Sequence, residues 1–262
     1  MPNPSPPTAF AGTASYYARY RPPYPDELLA DLRARAGTTG HGSLLDLACG
    51  PGRVAIPMAP HFESVLAVDV EPEMIAVAES EASRCGVANI AWRVGRAEDL
   101  RLPDGSVELI TIGEAFHRLD QECILNLAAR WLGDRGALAT LGGEPVWRGR
   151  EAWKRVLAEV VSKWTGRSLD PGERWGGPGD VLRAAGLEVE ERESVVERIW
   201  TRDSIVGFMF STSITSRRVL GDEADDFEAD LRRALLEVEP SDCFAATQRF
   251  GFTLGMKNGD DG

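Results

Sequence analysis

The chain has 262 residues, 43% of them hydrophobic, and no apolar run near the roughly 18 residues of a membrane helix, so it reads as a globular protein with a substantial core. A formal net charge of −12 opposes a nucleic-acid substrate, because phosphate neutralisation needs a basic face, and favours a cationic or neutral small molecule. Cys49, Cys85, Cys123 and Cys243 are too scattered for a zinc site, so no metal is expected. The opening Met-Pro-Asn-Pro-Ser-Pro-Pro lacks both the basic stretch and the apolar core of a secretion signal, which predicts a cytoplasmic protein with reduced thiols.

Residues 1–41 read as a tail and a lid helix. All four tyrosines, Tyr16, Tyr17, Tyr20 and Tyr24, fall in this stretch, more aromatic surface than a solvated tail carries; they are lid residues or aromatic staples for the next helix. Pro25-Asp26-Glu27 then opens a helix with Leu28, Leu29 and Leu32 on one side and Gly37 after its end.

Residues 42–143 alternate strands with helices. An apolar run beginning at Ser43 stops at Gly50 and Gly52, where a helical pattern starts, as expected of a strand, a tight turn and a helix N-terminus suited to a polar ligand group. Val65–Asp69 reads as a second strand, Pro72 opens a helix with Met74, Ile75 and Ala78 inward, and strands follow near Ile90–Val94, Leu109–Ile112 and Ala137–Leu141, with a helix over about 120–132. Such alternation implies a parallel sheet covered on both faces.

In residues 144–180 the alternation lapses into an expected helical lid insertion. Trp153, Val156, Leu157, Val160, Val161 and Trp164 follow one helical stripe and read as core, whereas Trp147 and Trp175 lie outside it and are candidate substrate contacts. Residues 181–257 complete the same domain with a strand ending near residue 200, a helix over about 223–238 and a strand over Phe244–Met256. Residues 258–262 read as a tail.

Asp69 lies about 20 residues beyond Gly50, where an acid accepts both ribose hydroxyls of a nucleoside. Gly50-x-Gly52-x-x-Ala55 by itself also fits a dinucleotide fingerprint, but no Tyr-x-x-x-Lys pair follows the loop.

Asp46-Leu47-Ala48-Cys49-Gly50-Pro51-Gly52, Val68-Asp69-Val70-Glu71-Pro72-Glu73-Met74-Ile75, Gly95-Arg96-Ala97-Glu98-Asp99-Leu100 and Gly113-Glu114-Ala115-Phe116-His117 together resemble the class I S-adenosylmethionine-dependent methyltransferases. The resemblance runs over roughly residues 14–142 and is similar to small-molecule, natural-product tailoring members. It implies a Rossmann-like α/β fold with a mostly parallel seven-stranded sheet, helices on both faces and helical lid elements. It further implies S-adenosyl-L-methionine as cofactor: Ala48, Gly50, Gly52 and Gly113 would border it, Asp46 would hold its amino end through the loop, and Asp69 would take the ribose. Met74 would cover one adenine face, or is a core methionine; Ala97 and Glu98 would meet the adenine edge.

His117 falls at the carboxyl end of the sheet, where it borders the acceptor as a proton acceptor or is a hydrogen-bonded structural residue. Glu114, three residues earlier, faces an amine or caps the following helix. In the resembling family the tyrosine segment folds over the cofactor, which makes Tyr17 a candidate catalytic residue and Tyr16 and Tyr20 candidate substrate contacts. The expected function is methylation of a small metabolite, with N-methylation of an amine, such as an amino sugar or aminoglycoside in antibiotic biosynthesis, ahead of O-methylation of a natural product or carboxylic acid. A non-catalytic cofactor-binding protein is the alternative of another class.

Overall fold

The computed structural model of the chain describes residues 10–169 and 177–257; Trp175 and the tails 1–9 and 258–262 lie outside them. Helices α1 (Ala14–Tyr20) and α2 (Asp26–Arg35) precede β1 (Ser43–Leu47), α3 (Ala55–Met58), β2 (Ser64–Asp69), α4 (Pro72–Arg84), β3 (Ile90–Val94), β4 (Val107–Gly113), α5 (Gln121–Trp131) and β5 (Leu132–Gly143). There follow α6 (Ala152–Thr165), α7 (Pro178–Ala184), β6 (Glu188–Trp200), α8 (Arg202–Phe210), α9 (Arg217–Leu220), α10 (Ala224–Val238) and β7 (Phe244–Met256).

The described strands form one seven-stranded sheet in the order β3-β2-β1-β4-β5-β7-β6. Pairings from β3 through β5 are parallel, and β7 runs antiparallel to both its neighbours, as a mostly parallel Rossmann-like sheet requires. The chain leaves β1 toward β2 and β3 on one side and toward β4 and β5 on the other, and an open α/β sheet binds ligands outside the carboxyl ends at such a reversal.

Period-2 alternation divides the core. Leu44 on β1 and Leu109 on β4 pack with Leu28, Leu29 and Leu32 of α2, while Leu45, Leu47, Ile110 and Ile112 pack with Ile124, Ala128 and Trp131 of α5. Each fully buried leucine contributes about 1.5–3 kcal/mol from removal of its surface from water. A further cluster lies beside the sheet, where the Trp153, Leu157, Val160 and Val161 stripe of α6 meets Phe227, Leu231 and Leu235 of α10 and Phe208 and Phe210 of α8.

Three local features depart from the sequence reading. The helix after the glycine turn is short: α3 has 4 residues and passes into a 3-10 turn at Ala59–His61, since Pro60 has no N–H with which to extend the ladder. Its dipole is correspondingly small. Strand β5 begins at Leu132, five residues before the expected Ala137, with an irregular register between Val107 and Leu109 of its partner. Helix α8 was not anticipated: Thr201 and Ser204 cap each other at its start, and Ile205 through Phe210 are all buried, so no amphipathic stripe marks it. No helix among the described residues is long and apolar enough to cross a membrane.

Candidate active site

The site begins with the turn after β1. Ala48, Gly50 and Gly52 have φ of 51°, 53° and 82°, so three residues within five adopt the left-handed conformation, which glycine takes freely and alanine only with strain. Two carboxylates hold the turn. Asp46, wholly buried, accepts from Thr111 Oγ1 of β4 at 2.8 Å and from the Ala55 amide of α3 at 3.1 Å, which ties the two central strands to the start of the helix. Burial pushes the Asp46 pKa up to about 7, against the lowering effect of those two hydrogen bonds.

Asp69 closes the other side. Its Oδ2 accepts from the Gly50 amide at 2.8 Å and its Oδ1 from the Glu71 amide at 2.9 Å. Burial raises its pKa while these backbone bonds oppose the shift. Each oxygen retains a second acceptor position, so the carboxylate can orient the turn and still receive two hydroxyl protons.

On the facing side, α1 lies across the carboxyl end of the sheet. Tyr17 Oη donates to Glu114 Oε2 at 3.2 Å, Arg21 Nη1 donates to the same oxygen at 3.2 Å, and Arg53 Nη1 lies 3.8 Å from it. The Arg21 guanidinium is stacked between the rings of Tyr17 and Phe208, with its Cζ 4.7 and 4.4 Å from their centroids, and its Nε donates to Ser211 Oγ at 2.8 Å. Glu114 thus joins the N-terminal helix, the glycine turn and, through Arg21, the end of α8. It does so from a left-handed backbone, φ 54°, in the loop after β4.

Between the two sides lies a small recess lined by Tyr17, Tyr24, Asp46, Ala48, Cys49, Gly50, Arg53, Val54 and Gly113. Burial, and next the Glu114 charge, raise the pKa of Tyr17 and raise that of Tyr24 well above its usual value, so both phenols remain protonated and serve as donors.

Of the residues expected from sequence, Asp46, Ala48, Gly50, Gly113 and Tyr17 meet at this recess, Gly52 and Asp69 shape its loop, and Glu114 borders it. The others stand apart. His117, itself exposed, is on the 3-10 turn Phe116–Arg118, whose Phe116 is buried, and is not among the lining residues; partial desolvation and then Arg118 lower its pKa, and Glu114 works the other way. Tyr16 and Tyr20 turn away from the recess: Tyr16 accepts from Arg217 Nε at 3.0 Å and packs on Phe210, and the Tyr20 ring lies against the bare Cα of Gly207 on α8. Both rings pack against α8. Trp147 is half-buried against the helical cluster beside the sheet, away from the recess.

Met74 is buried at the start of α4, and Ala97 is buried on the 3-10 turn Ala97–Asp99 after β3. Glu98 Oε1 accepts from the Asp120 amide at 3.2 Å, and Oε2 lies 3.5 Å from Arg96, so this carboxylate also organises its own turn. Of the two roles open to Glu114, capping of the next helix falls to Asp120, which accepts from the Cys123 amide at 3.0 Å. Sequence reasoning singled out neither Arg53 nor Ser211, and saw Arg21 and Tyr24 only as parts of the lid segment. Arg53 carried a local signal, one position past Gly52; Ser211 carried none.

The open glycine turn, with a carboxylate at the end of β2 ready for a diol, fits the nucleoside and amino-acid portions of S-adenosylmethionine. A family model described as a methyltransferase domain matches residues 44–136. An uncharacterised methyltransferase of Mycobacterium tuberculosis is 30% identical over 166 residues, covering 62% of this chain and 61% of that relative, so the chain spans about three fifths of its length. The uncharacterised methyltransferase YcgJ of Bacillus subtilis is 38% identical over 74 residues, 28% of this chain and 29% of YcgJ. Among solved structures, a candidate type II methyltransferase of Anaeromyxobacter dehalogenans superposes with a TM-score of 0.64 at 21% identity, over 91% of this chain and 98% of that one. The glycine turn and its acid partner lie within residues 44–136, the stretch that matches the methyltransferase domain, and the whole fold is similar to that of a methyltransferase structure.

Proposed function

We propose that the protein transfers the methyl group of S-adenosylmethionine to a small metabolite. The observation that carries this reading is the pairing of Asp69 with the Gly50 amide beside a recess roofed by α1, because it places a diol acceptor and a sheltered cavity on one turn. When bound, the cofactor supplies a methyl group on a sulfonium, open to in-line attack. The chain's task is then to align and to exclude water, effects that reach about 7–11 kcal/mol in favourable model reactions. Asp46 and Thr111 hold the turn against β4, and the Tyr17–Glu114–Arg21 clamp holds α1 over it. Tyr17 keeps its proton and donates it in a hydrogen bond to Glu114, so toward the methyl acceptor its phenol oxygen offers a hydrogen-bond acceptor, whereas His117 is not among the residues that line the recess.

N-methylation of an amine, with an aminoglycoside as its specific case, drew on acidity and on Glu114 as an ammonium ligand. Arg21, Arg53 and Tyr17 occupy that carboxylate, which removes its main support. O-methylation, of a carboxylic acid in particular, needs no amine deprotonation and suits a site whose lining phenols stay protonated. A small-molecule acceptor in place of a nucleic acid remains the reading of its acidic composition. The fold alone does not decide the chemistry: a neighbour titled as the [4+2]-cyclase SpnF superposes with a TM-score of 0.51 at 18% identity, over 88% of this chain and 80% of that one.

Calorimetry with S-adenosylmethionine tests the cofactor half. Asp69→Ala removes charged acceptors worth about 1.5–3 kcal/mol per bond, so affinity should fall at least tenfold. Undiminished binding by a folded variant would falsify the assignment. Transfer of labelled methyl to parallel sets of amines, alcohols and carboxylic acids then separates nitrogen from oxygen acceptors.

A further inference from the structure

Charge around the recess is uneven. Arg21 and Arg118 feel each other's positive charge beside Glu114, and Arg198 feels that of Arg53, while the opposing carboxylates are Glu114 and the deeply buried Asp46. Arg21 is fully engaged, by Ser211, by Glu114 and by two aromatic faces. Arg53 is not. Its Nη1 faces Glu114 at 3.8 Å and its guanidinium interacts with the Tyr17 hydroxyl, but its Nε and Nη2, both buried, have no hydrogen-bond partner among the described residues. The Tyr24 ring lies 4.9 Å from its Cζ, and the Tyr24 hydroxyl is likewise buried without a partner, although the residue is only 4% exposed.

Buried donors left unpaired are costly, and here they belong to two adjacent residues that line one cavity. Nε and Nη2 form one edge of the guanidinium fork, whose parallel N–H bonds match the two oxygens of a carboxylate. Tyr24, held protonated, adds a third donor. We propose that Arg53 and Tyr24 form a carboxylate-binding subsite of the recess. The carboxylate comes from the amino-acid end of the cofactor or from the acceptor, and only the first of these sources rests on the methyltransferase reading.

Full-length protein and Arg53→Met are titrated calorimetrically with S-adenosylhomocysteine, which carries the carboxylate, with 5′-methylthioadenosine, which lacks it, and with succinate after saturation by S-adenosylhomocysteine. If the cofactor supplies the group, Arg53→Met weakens S-adenosylhomocysteine tenfold to a hundredfold and leaves 5′-methylthioadenosine unchanged, the span expected for loss of a charged two-point contact. If the acceptor supplies it, both nucleosides bind as before, and succinate binds the saturated wild type but not the variant. Equal weakening of both nucleosides, or no change with any probe, overturns the subsite. Should neither nucleoside bind wild type, the methyltransferase reading fails; Arg53-dependent binding of succinate to the free protein would still uphold the subsite, and its absence would end it. Circular dichroism checks folding, and should Arg53→Met not fold, Tyr24→Phe takes its place, with a threefold to tenfold loss expected in the same probe.

Discussion

The turn after β1 and the underside of α1 face each other across one recess and are built by opposite means. The turn works through backbone: positive φ angles at Ala48, Gly50 and Gly52, and amides of Gly50, Ala55 and Glu71 directed at two aspartates. The α1 side works through side chains drawn from distant places, Tyr17, Arg21, Arg53 and Glu114, meeting at a single carboxylate oxygen. A surface made of backbone is rigid and recognises what every ligand of the family shares. One made of long side chains can be re-specified by single substitutions, and it is there that Arg53 and Tyr24 leave donors unspent.

The contrast is broken most forcefully at Asp46. Its pKa is raised from 3.8 to about 7 in the folded protein, so the native state holds a proton that the unfolded chain has released. Stability contributed at this residue is therefore present at acid pH and declines as pH rises from about 4 to 7, by up to about 4 kcal/mol. Asp46→Asn, which does not titrate, should show a correspondingly flatter decline than wild type in urea unfolding across that range. Parallel profiles would mean that the buried carboxylate does not govern the turn.

Next in size is the side-chain half. Arg21→Ala takes the nearer cation from a partly buried carboxylate, leaving it Tyr17 and the more distant Arg53, and unstacks two rings, and should cost about 2–3 kcal/mol of stability while lowering turnover. A double-mutant cycle with Glu114→Gln checks it, since additive losses would deny the clamp.

The smallest effect sharpens the backbone half. Ala48 sits at φ 51°, so Ala48→Gly should relieve strain and raise stability by about 1 kcal/mol, net of the extra freedom glycine gains when unfolded. A lower melting temperature would show that the alanine methyl packs more than it strains.

How much of this was legible depends on the range over which each feature is encoded. The strands, the turn, Asp46 and Asp69 were readable because alternation, glycine spacing and an acid at a strand end are properties of a few neighbouring residues. Helix α8 escaped because it is apolar all round and its cap lies in Thr201 and Ser204 alone. The tyrosine cluster was visible but not its division: one helical turn sends Tyr17 into the recess while Tyr16 and Tyr20 grip α8, and only the position of α8 settles which face is which.

By itself, then, the sequence determined the parallel sheet and the nucleoside-type turn, since local backbone preferences and apolar periodicity suffice for them, and its motifs carried the resemblance to methyltransferases. Tertiary structure alone decided what the acceptor side is made of. Glu114 reads as a free carboxylate until Tyr17 and Arg21, more than 90 residues away in sequence, close on it, and a charge's role is set by the partners that reach it through space.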